Sequence, residues 1–372
     1  MKFCFYMNCV SPHQLPLAHE ICARVGETNF SYVYTDEMAG NRRRQGWTIE
    51  DAPWIRHGRA GDMGAGLMLE TCDALLTGIR DVDLFERRAA RGLKTFYTSE
   101  RWFKPRFGRL RMCVPSFRRM ARRMVSLIRE GGVIYLPIGV WAAEDMVWLL
   151  GHRGKIEFDR NPFGAIRCAG FPIDNVRMWG YFVKAAEKVG RPSPRHDELR
   201  LLWVGRILKL KRIDTILKAL ARIRQRTEDN PWRVTFDVYG LGPAELELKN
   251  LTQRLGLTDV VAYHPPVPMD EIRSIMRAHD VYILASNGRE GWGAVVSEAL
   301  EEGLTVLGSR ECGACVTMLD ESWQFPSGNV GKLVDLVEKC MRYKNDGVLK
   351  GQGIAKWTAK EAARYLLEGM LG

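Results

Sequence analysis

The stretch AHDVYILASNGREGWGAVVSEAL, residues 278–300, changes its hydrophobic period twice. Val281 to Leu284 is a short unbroken apolar run, the pattern of a strand covered on both faces. SNGREGWG (286–293) is a polar, glycine-rich loop. Beyond it Val295, Val296, Ala299 and Leu300 recur at helical spacing until Gly303 stops them. Strand, loop and helix in that order form half of a βαβ unit, so the stretch predicts a parallel sheet wound with helices.

Working outward, the alternation continues. The second half predicts strands at 199–205, Arg233 to Tyr239, Val260 to Tyr263, Val281 to Leu284 and Thr305 to Leu307, separated by helices over 213–225, 244–255, 269–278 and 294–302. The first half predicts strands at Phe3 to Met7, Tyr32 to Thr35, Ala74 to Thr77, Thr95 to Thr98 and Val133 to Pro137. Between them KAAEKVGRPSPRHDEL (184–199) is polar and carries Gly190, Pro192 and Pro194, the composition of a linker. The expected organisation is a domain over 1–185, a linker over 186–198 and a second α/β domain over 199–350. No short repeat or low-complexity segment interrupts it.

A chain of 372 residues, 46% hydrophobic and 27% charged, is long enough for two such cores. The most apolar candidate span, Val133 to Leu150, is cut by Glu144 and Asp145 and falls short of a membrane-crossing helix. MKFCFYMNCVSPH at the start lacks the pattern of a cleaved leader and is expected to be a first strand. Nine irregularly spaced cysteines suit a reducing compartment, which points to a cytoplasmic protein. Cys312-Gly-Ala-Cys315 has ligand-like spacing, but zinc needs two further ligands and a redox site a different context, so a plain glycine-containing loop is expected there.

In open parallel sheets ligands collect at the carboxyl ends of strands. Three second-half loops have that position: GRILKLKR (205–212), YGLGPAE (239–245) and the loop ending at Gly293. In the first, Arg206 and Lys211 are either phosphate contacts or, with Lys209 and Arg212, solvated charges. In the third, Gly291 and Gly293 around Trp292 let backbone approach a ligand closely. Glu290 precedes that turn and Glu298 lies about one turn inside the helix. Their spacing alone assigns neither a special role, and Glu301 and Glu302 are expected to face solvent.

The ordered set VGRILKLKRIDTILKAL, VYGLGP and AHDVYILASNGREGWGAVVSEAL resembles the C-terminal domain of the family 4 retaining glycosyltransferases, over nearly all of residues 199–310. The resemblance implies the GT-B architecture, an α/β fold of two Rossmann-like domains with parallel sheets facing a central cleft. It implies that Arg206 and Lys211 contact the diphosphate of a nucleotide-sugar donor. Glu290, the first glutamate of the family's Glu, seven residues, Glu motif, would hold hydroxyls of the donor sugar, and Glu298 the ribose. Gly291, Trp292 and Gly293 would line the pocket through backbone N–H groups, and Gly240 and Gly242 match a Gly-x-Gly-Pro loop near the nucleotide. A helix within 355–372, containing TAKEAARYLLEG, is expected to pack back on the first domain, as in similar enzymes.

The first half keeps part of the family pattern. His13 and Leu17-Ala18 have the family's spacing, while Asn8, Ser11 and Pro12 stand where its glycines usually are. His13 is therefore a candidate ligand contact, with Ser11-Pro12 alternatively a plain helix start. The family's mid-domain histidine is absent. Glu100 after LKTFYT takes that place as a candidate polar contact, or else pairs with Arg101, and His57 is a weaker substitute without strand context. Asp81-Val-Asp83 resembles a metal-binding Asp-x-Asp, but its position before a helix makes capping the expected role, and no metal is expected.

Residues 101–129 hold ten Lys/Arg and no Asp or Glu, most of the net charge of +11. From 117 to 129 the apolar and basic residues separate completely into two arcs of a helix. Such a helix either packs its apolar face on the core and shows its arginines to water or, with Trp102, Phe103 and Phe107 nearby, brings the arginines to an anionic membrane surface, the helix orientation being left open. The second is expected, and nucleic acid is not. The resulting expectation is a cytoplasmic, membrane-peripheral retaining glycosyltransferase. It would need no cofactor and would use a saccharide or lipid-linked acceptor in bacterial surface polysaccharide or glycolipid synthesis. A nucleotide-sugar epimerase and a non-catalytic basic membrane or nucleic-acid binding protein are the rivals.

Overall fold

The computed structural model describes residues 1–37, 40, 51–103, 107–186, 198–226, 233–349, 351 and 357–368. They divide into two compact units, one of residues up to 184 together with the last helix, the other from 185 to 351. The expected linker lies, for residues 187–197, outside the described residues.

The first unit is built on a nine-stranded sheet. Its strands are β1 (Phe3–Met7), β2 (Phe30–Tyr34), β3 (Ile55–His57), β4 (Ala74–Thr77), β5 (Lys94–Ser99), β6 (Ile134–Pro137), β7 (Ile156–Phe158), β8 (Ala165–Cys168) and β9 (Phe171–Arg177), in the spatial order 3-2-1-4-5-6-9-8-7. The first six are parallel, and their 3-2-1-4-5-6 order is that of the doubly wound nucleotide-binding folds. β1 is buried at all five positions, and Phe5 sits between Tyr32 on β2 and Leu76 on β4.

The edge beyond β6 departs from the predicted all-parallel sheet. β9 adds to β6 in parallel through Tyr135 and Val176, and β8 and β7 then follow antiparallel. A two-residue hairpin joins β8 to β9, with Ala169 at φ +51° and Gly170 at φ +83°, a turn whose twist matches the strands. β3 was also unforeseen, so His57 does have strand context: it ends that strand, its Nε2 3.1 Å from the Thr35 carbonyl oxygen.

Helices α1 (Leu15–Val25), α2 (Met63–Thr71), α3 (Val82–Ala89), α4 (Pro115–Arg129) and α5 (Val140–Leu149) belong to this unit. In the basic segment the structure gives the helix orientation that the sequence leaves open. Phe117, Ala121, Met124, Leu127 and Ile128 of α4 are buried, so its apolar arc packs on the core and is not offered to a membrane. Trp102 and Phe103 are buried as well: the indole N–H donates to the Tyr135 hydroxyl at 3.1 Å, and the buried Asp145 carboxylate accepts from the Phe103 amide at 2.9 Å. Of the three aromatics only Phe107 is exposed. Arg123 is tied to Asp83 and Glu86 of α3, which holds both carboxyls below their usual range through hydrogen bonds to the guanidinium.

The second unit repeats the plan. Strands β10 (Glu198–Val204), β11 (Arg233–Tyr239), β12 (Val261–His264), β13 (Val281–Leu284), β14 (Thr305–Ser309) and β15 (Gln324–Phe325) are all parallel, in the order 12-11-10-13-14-15. Counted from β10 this is again 3-2-1-4-5-6. Its helices are α6 (Ile213–Arg226), α7 (Glu245–Arg254), α8 (Met269–Arg277), α9 (Val295–Glu301), α10 (Gly313–Met318) and α11 (Val330–Asn345). Leu201, Trp203, Phe236, Val238 and Ile283 from the central strands form the core with Ile216, Leu220, Leu333 and Val337 from α6 and α11. The last helix, α12 (Ala359–Glu368), lies against α1 in the first unit, burying Ala362, Ala363 and Leu366, with Arg24 donating to the Lys360 carbonyl.

Candidate functional site

In each sheet the strand order reverses beside its first strand, and there the loops on either side diverge and leave a crevice. In the second unit those loops follow β10 and β13, which carry Arg206 with Lys211 and Glu290 respectively. The Asn287 amide donates to the Leu210 carbonyl at 2.9 Å and fastens one loop to the other. Lys211 Nζ then lies 2.5 Å from Glu290 Oε2, and the buried Ser286 hydroxyl donates to the same oxygen at 2.9 Å. Both partners of the pair are largely shielded, at 16% and 13% exposed. In such surroundings an ion pair is screened far less than on the open surface.

The four cations of the first loop separate by partner. Lys209 pairs with Glu247, Arg212 with Asp214 and Lys211 with Glu290. Arg206 is exposed and makes no hydrogen bond or ion pair among the described residues, which leaves its five donors available for an anion.

Gly240 and Gly242 let their loop pack closely on its neighbour. A Cβ on Gly240 would lie 1.9 Å from the Gly205 carbonyl oxygen, and one on Gly242 2.2 Å from that of Ile207. The amides of Gly205 and Ile207 donate to the carbonyls of Tyr239 and Leu241 at 3.0 and 2.9 Å. The two glycines let the 239–243 loop lie directly on the 205–207 backbone, so they support the loop that carries Arg206.

The third loop is held from beneath. The Trp292 side chain is buried, and its carbonyl accepts from the Cys312 thiol at 2.9 Å and the Ala314 amide at 2.8 Å. Gly293, at φ +86°, approaches the Cys312 sulfur so closely that a Cβ would sit 2.7 Å from it. Cys312 and Cys315 are thus buried packing groups at the start of α10. Among the described residues no group of three or more His, Cys, Asp or Glu is arranged to hold a metal.

Glu298 stands in α9 and is buried, which pushes its carboxyl up to about 7; Arg273 works against that rise and Glu302 adds to it. Glu302 is not solvent-facing as expected. It is buried at the end of α9, and its two oxygens accept from Arg273 Nε and, at 2.7 Å, from Arg277 Nη1. Sequence reasoning missed Ser286, Cys312, Arg273 and Glu302. The available signals were the polar residue directly after the β13 run and the i,i+4 spacing of Glu298 and Glu302.

At the corresponding reversal in the first unit there is a cavity of about 580 Å³, lined by Asn8 after β1, Gly78 after β4, Glu100 after β5, and Gln14, Asp36 and Tyr181. Glu100 is therefore within it, and Arg101 pairs with Asp145 at 3.4 Å. His13 is half-buried outside that lining, its ring 5.9 Å from that of Tyr181. α1 begins at Leu15, and the Ser11 carbonyl accepts from the Gln14 and Leu15 amides in the preceding turn. Asp81 caps α3 by accepting from the Leu84 amide at 3.0 Å.

Residues 186–346 match the family model described as "Glycosyl transferases group 1". The D-inositol 3-phosphate glycosyltransferase of Arthrobacter sp. (strain FB24) is 34% identical over 152 residues, 41% of this chain and 34% of that protein. The enzyme of the same name from Streptomyces griseus is 34% identical over 141 residues, 37% of this chain and 29% of its own. The alignments thus span about a third of these relatives' length. Among solved structures, Anabaena Alr3699/HepE in complex with UDP aligns over all of both chains with a TM-score of 0.65 and 13% identity. The lipopolysaccharide outer core galactosyltransferase WaaB aligns over 100% of this chain and 99% of its own, with a TM-score of 0.63 and 14% identity. The chain therefore has the two-unit α/β fold of these solved structures.

Proposed function

We propose that the protein is a retaining glycosyltransferase that moves a sugar from a nucleoside diphosphate to a saccharide or lipid-linked acceptor. The observation that carries this reading is the Lys211–Glu290 pair at the strand reversal of the second unit, with Arg206 unpaired beside it in sequence. Breaking the bond between the sugar and the diphosphate leaves charge on the departing phosphate oxygens. Preplaced cations lower the barrier to that step because they need no reorganisation. Lys211 and Arg206 supply them, and Glu290, held by Lys211 and Ser286, accepts hydrogen bonds from sugar hydroxyls. Glu298 accepts from the ribose. This electrostatic arrangement calls for no metal or cofactor.

The first unit binds the acceptor, in the cavity containing Glu100, and the named relatives align over only 41% and 37% of this chain, so their acceptor does not transfer with the likeness. A surface polysaccharide or glycolipid is the proposed product class. Calorimetry with uridine, guanosine and adenosine diphosphates and their sugars tests the reading: one of them binds, and binding by none would sink it.

A second part of the proposal places the enzyme at the cytoplasmic membrane face. With the apolar arc of α4 turned inward, the exposed side carries Arg118, Arg119 and Arg122, and the preceding turn exposes Phe107, Leu110 and Val114 at 59%, 73% and 50%. Each basic residue near an anionic surface contributes about 1 kcal/mol, so replacing all three arginines by glutamate lowers partitioning onto phosphatidylglycerol vesicles by on the order of 100-fold or more. Sedimentation with vesicles measures it, and equal binding to neutral vesicles would remove the idea.

A further inference from the structure

Glu298 and Glu302 are four residues apart and therefore share one face of α9 and its last turn. Both are buried, and two carboxylates so placed repel one another and resist losing water. Arg273 and Arg277, also four apart, meet this face from α8. Both bond Glu302, Arg273 through Nε and Arg277 through Nη1. The Arg273 Nη2 group is left buried without any hydrogen-bond partner. A buried donor of this kind costs free energy when nothing meets it, and each such group in a native fold calls for a reason. Tyr282 of β13, fully buried and held neutral by that burial, is a further titratable group facing Glu298.

We propose that Arg273, clamped by Glu302, is the positioning residue of the nucleoside end of the site: it orients the Glu298 carboxylate, and its spare Nη2 donor is satisfied when a ribose diol reaches that carboxylate. A ribose hydroxyl both donates and accepts, so a carboxylate beside an N–H matches it, where a carboxylate alone serves only its proton. The ligand class is a ribonucleotide in preference to its 2′-deoxy form. The inference rests on the reading of Glu298 as the ribose contact.

The experiment is calorimetry of the full chain with uridine diphosphate and 2′-deoxyuridine diphosphate, or the guanosine or adenosine pair if that base binds instead, between pH 6 and 8.5. In the wild type the ribo form binds more tightly, and affinity rises about tenfold from pH 6 to 8 as Glu298 ionises. Arg273→Met is expected to weaken ribonucleotide binding at pH 7 by about tenfold or more. It should also move the rise to higher pH and shrink the ribo/deoxy ratio toward one, while Arg273→Lys restores part of each. Glu302→Gln, which loosens the clamp with little change of shape, weakens ribonucleotide binding and shrinks the ribo/deoxy ratio as well, but moves the rise to lower pH because a negative charge beside Glu298 is removed; it serves if Arg273→Met fails to fold. Protonation of the ligand phosphate is common to all proteins and cancels in their ratios. An unchanged pH profile and unchanged ribo/deoxy ratio in Arg273→Met or Glu302→Gln overturns the inference. Failure of the wild type to bind any of the three ribonucleotides overturns the nucleotide reading itself, a separate result.

Discussion

Lys211→Ala is expected to lower kcat/KM for the donor by about 100- to 1,000-fold, the range found when one preorganised partner of developing charge is removed. Two effects add. The cation facing the departing diphosphate is lost, and Glu290, only 13% exposed, keeps its charge without its counter-ion where an anionic donor must enter. Lys211→Arg retains charge but not the compact ammonium that fits beside Ser286, so it recovers only part. Because the two side chains act as a unit, adding Glu290→Gln to Lys211→Ala costs much less than the product of the single losses. Donor turnover for the wild type, Lys211→Ala, Lys211→Arg, Glu290→Gln and the double variant, with thermal melting to confirm folding, measures this. Activity within threefold of wild type in Lys211→Ala would remove the pair from the mechanism.

The parallel cores were readable because their strands are covered on both faces and show as unbroken apolar runs, such as Val281 to Leu284. β7, β8 and β9 were not, since none is an unbroken buried run: β7 has no buried residue, β8 alternates between partial and full burial, β9 is irregular, and the turn is Ala169-Gly170, a weaker signal than Asn-Gly. The amphipathic split of α4 was plain in the sequence, but the same arc suits a core and a bilayer equally. Only the burial of Phe117, Met124 and Ile128 decides between them. Glu302 was misjudged for a related reason. Its burial depends on Arg273 and Arg277 from another helix, and spacing within one helix carries no record of the helix that faces it. The site's ends were legible through motif order, whereas Ser286 and Cys312 became visible only with the loop geometry.

Gly240→Ala is expected to destabilise the second unit by about 3 kcal/mol or more, through overpacking and backbone strain together. The residue is at φ +142°, where an L side chain is strained, and the added Cβ would fall 1.9 Å from the Gly205 carbonyl oxygen. That contact is with backbone, so no rotamer change relieves it. The 205–207 backbone has to move, and Arg206 moves with it. For a unit of this size the loss corresponds to a fall in Tm of roughly 6–12 °C. Gly242→Ala, whose Cβ meets the Ile207 carbonyl oxygen at 2.2 Å, should behave alike. Gly331→Ala is the contrasting control: it lies in α11, its Cβ meets nothing closer than Asn329 Oδ1 at 3.7 Å, and the helix gains from the change. Thermal melts of the three proteins separate the two roles for these glycines. If Gly240→Ala melts with the wild type and loses only nucleotide affinity, the glycine faces the ligand and the packing role is wrong. If melting and affinity fall together, the loop that carries Arg206 is held in place by backbone packed on backbone.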